Sequence, residues 1–152
     1  MSGLEEVMKQ YENTVFRTAL SYTGDREDAL DMVQETFLRW LTKRPEFASP
    51  EHEKAWLLRV CMNLCTNLIH SAARTRSEEL LDIYPAKDEE EQGLLEEVMA
   101  LGGEYRSVIY LYYYEGYSTK EIAEMRGTKE STVRSQLHRA RKLLKDRLEE
   151  NQ

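Results

Sequence analysis

Cysteine is nearly absent from this chain: two occur in 152 residues, Cys61 and Cys65. One helix cannot bring sulfurs four residues apart into disulfide geometry, which excludes a cross-linked scaffold and leaves two buried, reduced thiols as the expectation. A metal centre would need more ligands, and His70 is a poor third. Histidine numbers only three, scattered along the chain. There is no glycine-rich phosphate loop and no nucleophile beside a plausible base, so no catalytic residue, metal or cofactor is assigned and the chain is not expected to be an enzyme. Long apolar runs are missing too. Nothing approaches the roughly 18 residues that span a bilayer, and the start MSGLEEVMKQ has neither a charged n-region nor an apolar h-region, so a cytoplasmic location is expected. Alternating runs long enough for a convincing strand are also lacking, which points to an all-α fold.

What is present is a soluble composition, 41% hydrophobic and 32% charged, at a length that allows one ordinary domain or two small ones. Charge is spread unevenly. Residues 1–76 hold ten Lys/Arg against eleven Asp/Glu, residues 77–104 one against ten, and residues 105–152 ten against seven. The middle stretch, SEELLDIYPAKDEEEQGLLEE, combines Pro85, an acid run from Asp88 to Glu91 and Gly93, which is linker composition. Two small helical domains, residues 1–76 and 94–152, are therefore expected on either side of an acidic linker, residues 77–93. The linker reads as a solvated spacer or as a decoy that covers a basic surface.

Helical periodicity organises the first half. Leu4, Val7, Met8, Tyr11, Val15 and Ala19 share one face; Gly24 stops that helix and Asp25 caps the next. The second helix presents Leu30, Val33, Phe37, Trp40 and Leu41 as its expected buried stripe and leaves Asp28, Asp31, Gln34, Glu35 and Arg39 outside. Ser49-Pro50 opens a third, serine as N-cap and proline where no amide hydrogen is needed. Its inner stripe is Leu57, Val60, Cys61, Leu64 and Leu68, and its polar face carries Arg59, Asn63, Asn67, His70 and Arg74. Three such helices make a small bundle.

In the second half, Val98 and Leu101 end one short helix at Gly102-Gly103. Another is expected from about Glu104 to Glu115, stopped by Gly116. Ser118-Thr-Lys-Glu121 is a capping box that opens a helix to about Met125, with Ile122 and Ala123 inward. RGTKES then gives the turn of a helix-turn-helix, Gly127 taking positive φ. Beyond it, Val133, Leu137, Ala140 and Leu144 form one apolar stripe, opposed by Arg134, Ser135, His138, Arg139, Arg141, Lys142 and Lys145. A cationic helix on such a turn fits the major groove of DNA, where arginine takes both guanine acceptors. Overall acidity does not oppose this, because affinity follows the local field and counterion release.

GDREDALDMVQETFLRWL followed by WLLRVCMNLCTNLI resembles the second conserved region of bacterial RNA polymerase sigma factors, and EYRSVIYLYYYEGYSTKEIAEMRGTKESTVRSQLHRARKLLKDRL resembles the fourth. With only a short acidic segment between them, the chain is similar to the extracytoplasmic-function (ECF) subgroup. The resemblance implies a sigma factor that binds core RNA polymerase, melts the minus-ten element and reads the minus-thirty-five element of promoter DNA to initiate transcription. The family's D-x-V-Q-E-x-F pattern falls on Asp31, Val33, Gln34, Glu35 and Phe37, so Asp28, Asp31, Gln34, Glu35 and Arg39 are expected to dock on polymerase. The W-L-x-R-x-x-x-N run falls on Trp56, Leu57, Arg59 and Asn63. Arg59, Asn63, Asn67, His70 and Arg74 are thereby assigned to the minus-ten element, with a base pocket expected between the loop of residues 43–50 and the start of this helix. Thr132, Arg134, Ser135, His138, Arg139 and Lys142 are assigned to the minus-thirty-five element. An anti-sigma protein clamping both domains is a further implied partner.

Three departures from the family pattern stand out. LIHSAARTR follows Asn67 where arginines are frequent. LYYYEG stands where a basic residue often ends the helix, so that a phosphate anchor is absent or replaced by the Tyr112 hydroxyl. Lys129 occupies a frequent serine cap, leaving Thr128 or Ser131 to cap the recognition helix. The alternative reading is a polymerase-independent helix-turn-helix regulator, which palindromic protection on bare DNA would favour. If the acidic linker acts as a decoy, replacing Glu89, Glu90 and Glu91 by glutamine raises activity at low salt, where charge attraction is least screened; unchanged transcription there would leave only the spacer.

Overall fold

Glycine and aspartate punctuation decides where the first helices stop and start. A computed structural model describes residues 3–71 and 101–150. α1, Leu4–Thr23, ends at Gly24, whose φ of 67° turns its amide back onto the Leu20 carbonyl. Asp25 then accepts from the Asp28 amide at 3.1 Å and opens α2, Arg26–Lys43. α2 closes on Arg44 at φ 43°, a left-handed conformation that costs a residue with a Cβ about 1–2 kcal/mol. Stacking of its guanidinium over the Trp40 ring, 4.8 Å from the centroid, offsets part of that strain. α3, Pro50–Ser71, begins as the serine-proline pair predicts: the Ser49 hydroxyl accepts from the His52 amide at 3.1 Å.

These three helices pack pairwise against one another. Val7, Tyr11, Val15, Ala19 and Tyr22 of α1 meet Ala29, Val33, Phe37 and Trp40 of α2 and Leu57, Leu58, Cys61, Met62 and Cys65 of α3 in one core. Two expected stripes are corrected by this packing. On α2, Leu30 and Leu41 are 44% and 38% exposed, and Ala29 and Thr36 are buried instead. Small side chains there let neighbouring helices approach, and the Thr36 hydroxyl is satisfied by the Met32 carbonyl at 2.7 Å. On α3, Val60, Leu64 and Leu68 are only half-buried while Leu58, Met62 and Cys65 are inside. A helix wedged between two others buries a broader arc than a single stripe, so its inner face is turned relative to the one expected.

In the second compact unit, α4 spans Gly103–Ile109 and runs into a π turn at Tyr110–Tyr114, where the Glu115 amide reaches the Tyr110 carbonyl at 3.2 Å. The single helix expected over Glu104 to Glu115 thus changes pitch in its second half. Gly116, at φ 76°, makes the stop. α5, Thr119–Arg126, carries both halves of the capping box: the Glu121 amide donates to the Ser118 hydroxyl at 3.1 Å and the Ser118 amide to the Glu121 carboxylate at 3.0 Å. Gly127 at φ 71° leads to α6, Glu130–Glu150. α6 packs on α4 and α5 through Val133, Leu137 and Ala140, with Ile122, Ala123, Met125, Val108 and Leu111 completing the core. All regular structure among the described residues is helical, and the fold is all-α with two small helical units. The acidic linker, the short helix before Leu101 and the domain limits at residues 76 and 94 lie outside the described residues.

Cys61 and Cys65 sit in the first core with their sulfurs 4.0 Å apart, facing the Val15 and Ala19 carbonyls. The hydrogen bond with Cys61, and then burial, push the Cys65 thiol far above its ordinary range. Cys65 therefore offers no thiolate near neutrality, and burial closes both sulfurs to reagents in solution. Iodoacetamide at about pH 8 is expected to leave both thiols unmodified in the native chain and to label both in denaturant; mass spectrometry reads the difference, and rapid native labelling would contradict the buried pair.

Candidate polymerase and nucleic-acid interfaces

The outer face of α2 is mixed rather than acidic alone. Asp31, Gln34, Glu35 and Arg39 are exposed, and Asp28 is half-buried at the capped end. Leu30, Leu38 and Leu41, 44%, 53% and 38% exposed, join Gln34 in one ridge beside Asp31. Solvent-facing leucines at helical spacing, flanked by acid, form a protein-docking composition: an apolar centre with a charged rim. Arg39 lies beyond Glu35, on the side away from the ridge. The leucines were missed in the sequence because Leu30 and Leu41 fit the core period, and only their exposure separates them from it.

On α3, Arg59, Asn63, Asn67 and His70 are all exposed and lie on one side at three- and four-residue steps. Arg74, assigned to the same face, lies outside the described residues. The chain just before α3 is pinned at several points. Phe47 makes edge contacts with His52 and Trp56 at 5.6 and 5.8 Å, and the Ala48 amide donates to His52 Nδ1 at 3.4 Å. The Trp40 indole donates to Glu53 at 3.1 Å, and the Tyr11 hydroxyl to the Pro50 carbonyl at 3.1 Å. Where a base pocket was expected, Phe47, His52 and Trp56 thus form an aromatic frame, a surface on which an unstacked base can lie. Phe47 and His52 went unmarked because neither belongs to a helical stripe.

The helix-turn-helix is locked by one arginine. Arg126, at the end of α5, donates to Gln136 Oε1 at 2.6 Å on α6, to the Glu104 carbonyl at 3.2 Å and to the Ser107 hydroxyl on α4. Gln136 in turn reaches the Glu104 carboxylate at 3.4 Å. Three elements meet at that guanidinium, so the angle at which α6 leaves the turn is set by a charged network as well as by the core. Near the other end of the turn, the Thr119 hydroxyl donates to Glu130 at 3.1 Å, and Glu130 pairs with Arg134 at 3.5 Å. Neither Thr128 nor Ser131 occupies the cap position of α6. The helix begins at Glu130, so Lys129 precedes it, and the Lys129 carbonyl accepts from the Thr132 and Val133 amides at 3.1 and 3.3 Å.

Burial of Val133, Leu137 and Ala140 turns Ser131, Ser135, His138 and Lys142 outward, with Arg139 next to them. Thr132, Ser135, Gln136 and Arg139 line a groove of about 410 Å³ that α6 shares with Glu104 and Tyr105 of α4. Arg134 falls on the opposite flank, where with Arg141 it lines a second groove of about 760 Å³. The residues assigned to DNA thus divide between an outward centre and two flanks. That division is what a helix lying in a groove requires, its centre toward base edges and its flanks toward the two strands. Among the described residues no helix is long and apolar enough to cross a membrane, and no cluster of three or more His, Cys, Asp or Glu is placed to hold a metal.

Residues 7–75 match the family model described as Sigma-70 region 2, and residues 92–144 match Sigma-70, region 4. The ECF RNA polymerase sigma factor SigL of Mycobacterium tuberculosis is 33% identical over 157 residues, covering 93% of this chain and 86% of that protein. The chain belongs to the ECF sigma factors. SigM of Bacillus subtilis, also an ECF sigma factor, is 31% identical with 93% of each chain covered. SigE of Mycolicibacterium smegmatis is 31% identical over 97% of this chain, which spans 62% of that relative. Among solved structures, the sigma factor RpoE in complex with the anti-sigma factor NepR, from Bartonella quintana, shares the fold at a TM-score of 0.71 and 24% identity, covering 95% of this chain and 96% of that one. CnrH in complex with the cytosolic domain of CnrY does so at 0.69 and 23%, covering 98% and 89%. For this sigma factor, the α2 ridge lies within the region 2 match, and the turn with its outward basic helix lies within the region 4 match. The regulator without polymerase is thereby not favoured.

Proposed function

We propose that this chain binds core RNA polymerase and carries it to a defined class of promoters, acting in the cytoplasm where polymerase and DNA are, without catalytic chemistry of its own. The observation that carries the reading is the pair of family matches, region 2 before region 4 on one chain. In this reading residues 1–76 and 94–152 are the two working domains and residues 77–93 their acidic tether. The outer face of α2 docks on polymerase: Leu30, Leu38 and Leu41 supply apolar contact, and Asp28, Asp31, Gln34, Glu35 and Arg39 supply charge that a basic surface complements. Arg59, Asn63, Asn67 and His70, with Arg74, hold the melted minus-ten strand, the asparagine amides offering paired donor and acceptor to an unpaired base edge.

The outward centre of α6 reads the minus-thirty-five element in the major groove. Ser135, His138, Arg139 and Lys142 face the bases, with Thr132 at one side and Arg134 at the other. An anti-sigma protein that covers the α2 ridge and the α6 face would switch the factor off by hiding both surfaces at once. Both solved neighbours are complexes, RpoE with an anti-sigma factor and CnrH with the cytosolic domain of CnrY.

The direct experiment is binding of the purified chain to bacterial core polymerase, followed by transcription from a promoter library on the same sample. Nanomolar binding with initiation from one sequence class is expected; no polymerase binding by the folded chain would overturn the reading. Asp31→Arg is expected to weaken polymerase binding on the order of tenfold or more, by placing like charge against a basic surface, while the fold is retained. Retained affinity would remove Asp31 from the interface. Arg139→Ala is expected to weaken promoter binding by roughly 1–3 kcal/mol and to relax base preference at one position, read by selection from the same library.

A further inference from the structure

On the flank of α6 that meets the π turn, one exposed arginine is held against aromatic rings. The Arg141 guanidinium lies over the Tyr112 and Tyr113 rings, 5.4 and 5.5 Å from their centroids, and its Nε donates to the Tyr113 hydroxyl at 2.6 Å. The two rings meet edge to face at 5.1 Å, so they form one corner. An arginine free in solvent loses up to about 2 kcal/mol of rotamer entropy when a ligand orders it. One already stacked and hydrogen-bonded has met much of that cost before the ligand arrives. The Tyr113 and Tyr112 hydroxyls both hydrogen-bond the guanidinium, which carries five N–H donors in all.

Arg141 and Arg134 line the 760 Å³ groove together with Tyr112, Ser118 and Thr119. Its one carboxylate, Glu121, is engaged with the Ser118 amide at 3.0 Å. Arg134 is itself paired with Glu130 at 3.5 Å, so the positive charge that the groove offers a ligand rests on Arg141. The place of the two arginines on α6 matters equally. They fall to one side of the outward centre formed by Ser135, His138 and Lys142, where a nucleic-acid strand rather than a base edge would pass.

We propose that this groove takes a single backbone phosphate of the promoter duplex, with Arg141 as its donor and Tyr112 and Tyr113 as the platform that aims it. A planar guanidinium fork matches phosphate geometry, and a ring-held fork gives direction as well as charge. The proposal rests on the reading of α6 as the promoter-reading helix. It also accounts for the LYYYEG segment, which holds no basic residue. The tyrosines there contribute no charge themselves; they carry a charge that comes from α6.

The test uses holoenzyme assembled from the full chain and core polymerase, bound to the duplex it selects from a random library. Single phosphates of that duplex are replaced in turn by neutral methylphosphonates. Arg141→Gln is expected to weaken binding roughly tenfold and to leave base preference unchanged. The slope of log affinity against log salt should fall by about one. Wild-type protein should lose a similar factor at one substituted phosphate, and Arg141→Gln nothing further there. Tyr113→Phe, which keeps the ring and removes the hydroxyl, should show a smaller loss at the same phosphate. Unchanged binding by Arg141→Gln at every phosphate, with Arg139→Ala still shifting base preference, would remove this site and leave promoter reading by α6 intact. A changed base preference with an unchanged salt slope would make Arg141 a base reader and overturn the proposal. If Arg139→Ala and Arg141→Gln were both without effect, the reading of α6 itself would fall.

Discussion

Burial of one narrow apolar stripe on α6 is the contact on which the C-terminal unit depends. Val133, Leu137 and Ala140 are the buried side chains through which a helix dense in lysine and arginine is held to α4 and α5. Burial of Val133 and Leu137 contributes roughly 1.5–3 kcal/mol each, and in so small a unit little else is available. The stripe therefore does two things at once. It fixes the helix, and by fixing its rotation it decides which cations look outward and which are turned to the flanks. Arg126 adds direction to that hold, because a guanidinium shared by α4, α5 and α6 penalises any change in the angle between them.

The same division of labour governs the N-terminal unit. Ala29, Val33, Thr36, Phe37 and Trp40 hold α2 against its neighbours, and the ridge of Leu30, Gln34, Leu38 and Leu41 is what that packing leaves over. A leucine that the core does not use remains costly in water, so its exposure supports a docking surface in a way that an exposed glutamate would not. Surface charge then has a different task on each unit. In the proposed reading, around the leucine ridge it forms a rim that would favour one partner over others. On α6 it would be the attraction itself, acting through a local field that an acidic total does not cancel at short range.

Much of this was legible in the linear sequence, and where it was not the reasons are physical. The caps were readable because they are local chemistry: Gly24, Asp25, Ser49, Ser118 with Glu121, and Gly127 all act within a few residues of themselves. The start of α6 carries no such signal, for the converse reason. No serine or threonine side chain occupies the position before Glu130, and a backbone carbonyl alone marks no residue type. Leu30 and Leu41 were placed inside because a period of 3.6 leaves the boundary of a stripe undefined by one residue on either side. The π turn at Tyr110–Tyr114 has no sequence signature, and the bond from Arg141 to Tyr113 joins residues 28 positions apart.

The sequence by itself determined an all-α chain in two parts, the ends of most helices, the two family regions and the residue types that serve each. Those follow from local hydrogen bonding, periodicity and motif spacing, none of which needs a neighbour in space. Only the tertiary structure decided which leucines face solvent on α2, that aromatic side chains frame the start of α3, and that Arg141 rests on a tyrosine corner. Each of these is settled by what a helix packs against. Rotation of a helix by a fraction of a turn costs little in its own backbone and much in its contacts.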